Sequence, residues 1–302
     1  MIVATFPGQG AQVVGMGRAM VRRHAAARRV FEEADDVLGY SLSELCFEGP
    51  MERLTETHVC QPALVATSMA AFRVAEEAGF RPDLVMGHSL GEYSALVAAG
   101  AMEYAEALRI VAERGAAMRD AGRESPGSMA ALIAVTDEAA ADLADRAGDA
   151  WPANFNCPGQ VVVSGTAAAI DRLLEIAAEQ GTRATRLQVD GAFHSRLMAP
   201  AAERLRPALE AWDPSPPDPP FLSTTTALVE PAERLREVLL DQLTAPVRFG
   251  DATAAAVRLG ARSFVEFGVG RVLSTLVRRV QRDLEVMQIQ EPDDIAGLPV
   301  AR

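Results

Sequence analysis

The first patterned stretch is Ile2–Phe6, a short apolar run that stops at Pro7-Gly8-Gln9-Gly10. Bounded in this way, it predicts a buried strand feeding a loop. A helical stretch is expected from there to about Leu38. The run PALVATSMAAFRVAEEAG begins with Pro62 and ends at Gly79, as a helix that opens on proline and closes on glycine does. Leu84-Val85-Met86 then leads through Gly87-His88-Ser89-Leu90-Gly91 into a helix reaching about Ala99. Strand, sharp turn and helix in that order predict an α/β arrangement with a parallel sheet. From about Glu103 to Asp120, Tyr104, Leu108, Val111, Gly115 and Met118 recur at helical spacing.

After Pro126 the rhythm changes. SMAALIAV reads as a strand, DEAAADLADRAG as a helix, WPANF and QVVVSG as two strands, AAAIDRLLEIAAEQG as a helix and ATRLQV as a strand. The order β-α-β-β-α-β is the ferredoxin-like split pattern. Residues 127–191 are therefore expected to form a small inserted subdomain, with 1–126 and 192–290 making a discontinuous larger one. The chain returns through GAFHS to a helix ending near Trp212, and DPSPPDPP predicts a stiff, extended connector. A strand is expected over Phe221–Thr225, a helix over Pro231–Leu243, and a last buried strand at Ser263–Glu266 before a final helix. Residues 291–302, polar with Pro and Gly, are expected to be a loosely ordered tail.

Composition narrows the function class. Hydrophobic residues make up 49% of the chain, enough for a substantial core, yet no apolar run is long enough to span a membrane. The N-terminus has no basic region before its apolar run and reads as a strand rather than a signal peptide. The net charge of -12 argues against nucleic acid as a partner. Arg22–Arg23, Arg28–Arg29 and Arg278–Arg279 are local basic clusters that read first as solvated helix faces and second as contacts for acidic partners, and charge alone does not choose. Three cysteines with no CxxC pair suggest free thiols and a cytoplasmic location, and no zinc-type spacing is present.

Gly87-His88-Ser89-Leu90-Gly91 is the strongest chemical signal. Two glycines permit a sharp turn that lifts a serine hydroxyl above a sheet at a helix N-terminus, where the Leu90 N–H and the helix dipole favour an oxyanion. The Gln9 backbone N–H, in the first glycine-rich loop, is a second candidate donor. That loop matches neither GxGxxG nor GxxxxGK[ST], so nucleotide binding is unsupported. A serine nucleophile needs a base. Of the four histidines, His24 sits on a surface-like helix, His58 lies in a polar loop, and His88 points away through the turn. His194, where the insertion hands back to the larger unit, is the remaining candidate. Asp190 is the nearest preceding acid, but four residues of extended-to-turn chain rarely bring a side chain back to the same ring, and a backbone carbonyl could orient it instead. Arg114 shares an apolar helix face with Ile110, Val111 and Met118. A guanidinium there either pairs with an internal Asp or Glu or clamps a substrate carboxylate.

FPGQGAQVVGMG, QPAL, GHSLGEYSALVAAG, ERGAAM, NFNCPGQVVVSG, AFHSRLM, QLTAPVRF and VEFGVGRVL occur in that order from about residue 6 to 276. Together they resemble the malonyl-coenzyme A:acyl carrier protein transacylases and the acyltransferase domains of polyketide synthases. The resemblance implies an α/β-hydrolase-like core with a ferredoxin-like insertion, and malonyl transfer from coenzyme A to the phosphopantetheine of an acyl carrier protein. Ser89 is then nucleophile and His194 base, with Gln9 and Leu90 as oxyanion donors and Arg114 as the carboxylate clamp. Gln61, Phe193 and Met118 join the expected substrate pocket, and Gln242 orients His194 through its backbone carbonyl. Phe193 stands where methylmalonyl-selective relatives more often carry a smaller residue, which favours malonyl. Val269 replaces a usual proline. No metal or bound cofactor is expected, nor nucleic acid or membrane partners. A free-standing monomer is expected, in fatty-acid synthesis or acting in trans on a polyketide assembly line. An acyl hydrolase clearing carriers, a transferase for another extender unit and a catalytically silent docking module remain as alternatives.

Overall fold

The computed structural model describes residues 1–189 and 191–299; Asp190 and the last three residues of the expected tail lie outside the described residues. Eight strands are present among them: β1 (Ile2–Phe6), β2 (Leu84–Gly87), β3 (Gly127–Val135), β4 (Ala150–Cys157), β5 (Gly159–Thr166), β6 (Arg183–Arg186), β7 (Ser263–Phe267) and β8 (Glu285–Ile289). They form two sheets. One runs β2-β1-β7-β8 with every pairing parallel. The other runs β4-β5-β3-β6 with every pairing antiparallel, and the helices Asp137–Ala147 and Ala167–Glu179 pack on it. The first is the α/β core and the second the ferredoxin-like insertion.

The central parallel strand β1 and its neighbour β2 are short and nearly continuous in apolar character because helices cover both faces. Phe6, Phe72, Phe80 and Phe267 cluster on one side, with ring centroids 5.2–6.4 Å apart. Phe249, Phe264, Leu273 and Val277 fill the other. In the sheet order, β1 lies between β2, the next strand along the chain, and β7, reached only after the insertion. The chain thus switches direction beside β1, and crevices at the carboxyl ends of parallel strands open at such points. The loops Pro7–Gly10, His88–Leu90 and Gly268–Gly270 all leave the sheet at that edge. No described helix is long and apolar enough to cross a membrane.

Several expectations need correction. The helix expected to open at Pro62 runs Thr57–Glu77 and carries that proline inside its second turn. The stretch expected to reach Leu38 is two helices, Arg18–Arg23 and Ala25–Leu38, parted at His24, whose backbone is extended. Phe221–Thr225 is not a strand: Phe221 and Leu222 make only isolated bridges, to Val85 and Val229. Prolines precede the segment, and Ser223 and Thr224 turn inward to bond Glu92 instead of continuing a ladder. The fourth parallel strand, β8, was not anticipated. It is an edge strand with a half-polar sequence, and its weak alternation hides it. The tail is not loose over Pro292–Gly297, which forms a 3-10 helix with Glu291 and Asp294 as a reciprocal capping box and Leu298 buried behind it.

Candidate active site

Ser89 follows β2 with φ at 51°, the strained left-handed region, and so projects its hydroxyl from a tight turn. The flanking glycines are required sterically. A Cβ on Gly91 would lie 1.9 Å from the Phe6 carbonyl oxygen, and one on Gly87 would lie 2.0 Å from the Gly91 backbone. The turn is therefore pressed against β1, which places the Pro7–Gly10 loop beside Ser89. The Gln9 and Leu90 backbone N–H groups have no hydrogen-bond partner among the described residues. Both residues line a cleft of about 300 Å³ between the carboxyl edge of the parallel sheet and one face of the antiparallel one.

His194 also adopts a positive φ, 57°. Its Nε2 lies 2.8 Å from Ser89 Oγ, and its Nδ1 donates to the Gln242 backbone carbonyl at 2.8 Å. With Nδ1 held as donor, Nε2 is the acceptor for the serine proton. No carboxylate touches the ring among the described residues. Burial, and next the nearby Arg114 cation, push the His194 pKa down to about 3.

Arg114 is buried on the helix Tyr104–Glu124. Its neighbour Gly115 lets that helix touch Thr57–Glu77, since a Cβ there would sit 2.6 Å from the His58 Cα. Arg114 Nη1 donates to Gln61 Oε1 at 2.8 Å; Nη2 donates to Gln242 Oε1 at 2.9 Å and Ser89 Oγ at 3.1 Å. All three partners are neutral, and Nε has no partner among the described residues. Burial pushes the guanidinium pKa down, opposed by Tyr93 and Glu92. A buried cation held only by neutral acceptors keeps its charge free to pair with an anion. Of the two readings of Arg114 left open by sequence, internal ion pairing finds no contact among the described residues.

The remaining expected residues converge here with different placements. Phe193 and Met118 line the cleft. Gln61 does not: it is fully buried behind Arg114, with its Nε2 donating to Met118 Sδ at 3.3 Å. Gln242 is likewise buried and meets His194 and Arg114 by two different groups. His88 faces the insertion, where its Nε2 lies 2.9 Å from Asn156 Oδ1 and ties the two sheets together. Neither His24 nor His58 lines the cleft. Among the described residues no group of three or more His, Cys, Asp or Glu is placed to hold a metal ion.

Sequence reasoning missed Glu92. It lies beneath the turn with no solvent exposure and accepts from Ser223, Thr224 and Gln242. Burial pushes its carboxyl pKa up, and these donors pull against that. The available signal was a lone acid in the otherwise uncharged run GEYSALVAAG.

Three comparisons bear on this arrangement. The family model described as "Acyl transferase domain" matches residues 3–297. The chain is 43% identical over 301 residues to the malonyl CoA-acyl carrier protein transacylase of Bacillus subtilis (strain 168), covering 97% of this chain and 95% of that protein. Among solved structures, the acyl-carrier-protein-S-malonyltransferase from Bartonella henselae superposes with a TM-score of 0.94 at 38% identity, covering 98% of this chain and 97% of that one. A malonyl-transacylase in complex with its holo type II polyketide synthase acyl-carrier protein superposes with a TM-score of 0.95 at 36% identity, covering 98% and 97%.

Proposed function

The chain belongs to the acyl transferase domain family, and from that premise we propose that it moves a malonyl group from malonyl-CoA, through an ester on Ser89, to the phosphopantetheine thiol of an acyl carrier protein. One observation carries the reading. Ser89 Oγ lies within hydrogen-bond reach of both His194 Nε2, at 2.8 Å, and Arg114 Nη2, at 3.1 Å. Nucleophile, base and carboxylate anchor meet at one atom. A malonyl thioester separates its reacting carbonyl from its carboxylate by one methylene, a span that suits this closeness.

Arg114 takes the malonyl carboxylate and thereby sets the thioester carbonyl over Ser89. His194 Nε2 accepts the hydroxyl proton as Oγ attacks that carbonyl carbon. The resulting oxyanion faces the Gln9 and Leu90 N–H groups. Collapse breaks the C–S bond, and the departing coenzyme A sulfur takes the proton from His194. In the second half, the carrier thiol gives its proton to His194 and attacks the ester carbonyl. Collapse then breaks the C–O bond, and the proton returns to Ser89. Phe193 narrows the cleft where an α-methyl would point. We place the enzyme in the cytoplasm as a monomer; three buried, unpaired cysteines agree with a reducing compartment.

The test is intact mass after brief mixing with malonyl-CoA, with and without a holo carrier protein. A malonyl adduct that disappears onto the carrier is expected. An adduct lost to water equally fast without carrier makes the enzyme a hydrolase and overturns the transferase reading.

A pH dependence follows from His194. The base works only when neutral, and with a pKa near 3 in the free enzyme it stays neutral as pH falls from 8 to 5. The kcat/KM for malonyl-CoA is therefore expected to vary less than about twofold between pH 5.5 and 7.5. A roughly tenfold fall on acidification through 6.5 would show a histidine titrating at its ordinary value.

A further inference from the structure

Below Ser89 lies a carboxylate that the transfer steps never touch. Glu92 Oε1 accepts from Ser223 Oγ at 2.9 Å and from the Thr224 N–H, and it competes with the Gly87 carbonyl for the single Thr224 hydroxyl proton, at 3.0 Å against 2.9 Å. Its Oε2 accepts from Gln242 Nε2. A carboxylate sealed from water persists only where donors surround it in this way. The Gln242 amide is held between two ionic groups: Nε2 donates to Glu92 and to the Ser89 carbonyl at 3.1 Å, while Oε1 accepts from Arg114 at 2.9 Å. Reversing it would set its NH2 against the guanidinium and its carbonyl against the carboxylate. The backbone carbonyl of the same residue receives His194 Nδ1.

We propose that Glu92 is a positioning residue for acyl transfer: by fixing the Gln242 amide it sets both the guanidinium that meets the substrate carboxylate and the carbonyl that aims His194. This rests on the roles of Ser89, His194 and Arg114 proposed above. Glu92→Gln separates positioning from bulk packing because it is nearly isosteric. The new side chain has one acceptor oxygen, and the Ser223 hydroxyl and the Thr224 N–H already claim it on that side. Its NH2 must then face Gln242, whose amide flips and presents NH2 to Arg114. Only a substrate with a carboxylate gains an ion pair from where that guanidinium points, so malonyl loses more than acetyl when it is misplaced.

The experiment is single-turnover acylation of the full chain by malonyl-CoA and acetyl-CoA, with a thermal midpoint for each variant. Glu92→Gln is expected to slow malonylation about 100-fold, the scale of an ångström misplacement at a reacting centre. The malonyl-to-acetyl rate ratio should fall about tenfold, and the same substitution added to Arg114→Ala should change malonylation far less than it does alone. Should Glu92→Gln not fold, Ser223→Ala keeps the charge, loosens one anchor of Glu92, and is expected to lower the same ratio by about threefold. Equal proportional losses with both substrates would reduce Glu92 to a packing role and overturn the proposal. Wild-type protein that takes no malonyl label would instead remove the underlying catalytic reading.

Discussion

Ser89→Ala is expected to abolish the malonyl mass increment and to reduce carrier malonylation by about five to six orders of magnitude, as loss of one member of a coupled nucleophile–base pair does. The size follows from the absence of any substitute nucleophile. Cys60, beside Gln61, has its thiol pushed up to about 12 by burial, and burial also raises Cys46 and Cys157. None carries appreciable thiolate at neutral pH. The fold should survive, because the deletion removes one oxygen from the edge of an open cleft and relieves none of the packing around Gly87 and Gly91. A thermal midpoint within a few degrees of wild type, together with lost labelling, assigns the effect to chemistry. Persistent labelling at an unchanged rate would move the nucleophile elsewhere and dismantle the site as described.

The parts of this site legible in the sequence are those encoded over a few residues. Ser89 announces itself because Gly87, Ser89 and Gly91 are spaced by the sterics of one turn against one strand. The insertion shows because the apolar period switches between strand-like and helical runs in a recognisable order. His194 emerges from a short field of four histidines. What stayed hidden is made by long-range convergence. Glu92 and Gln242 are 150 positions apart, and nothing local to either predicts their contact. A motif has no depth, so QPAL points Gln61 at the pocket, whereas the structure sets it one layer back against Arg114. The edge strand β8 escaped for the opposite reason, since only Ile289 of it is fully buried and its composition is nearly that of a loop.

Arg114→Ala is expected to slow malonylation by about 100- to 1000-fold while leaving acetylation from acetyl-CoA unchanged or faster. The first effect is the loss of one or two charge-assisted hydrogen bonds to the substrate carboxylate, each worth about 1.5–3 kcal/mol. The second follows from what the guanidinium does to its neighbours. It donates to Ser89 Oγ at 3.1 Å, drawing electron density from the nucleophile. After burial it is the next largest cause of the low His194 pKa, so its removal raises that pKa and strengthens the base. For malonyl the carboxylate neutralises Arg114 on arrival and lifts the same restraint, whereas acetyl brings no charge and meets it in full. On the proposed reading Arg114 discriminates twice, by attracting the correct substrate and by holding the site weakly basic for the wrong one. Arg114→Lys restores the charge without the planar fork and should recover only part of the malonyl rate, because one ammonium cannot span both the Gln61 and Gln242 acceptors and the substrate. The measurement is the ratio of single-turnover acylation rates for the two thioesters across the three proteins. A ratio that stays at the wild-type value in Arg114→Ala would detach specificity from this residue and leave its burial among neutral acceptors without a role in substrate choice.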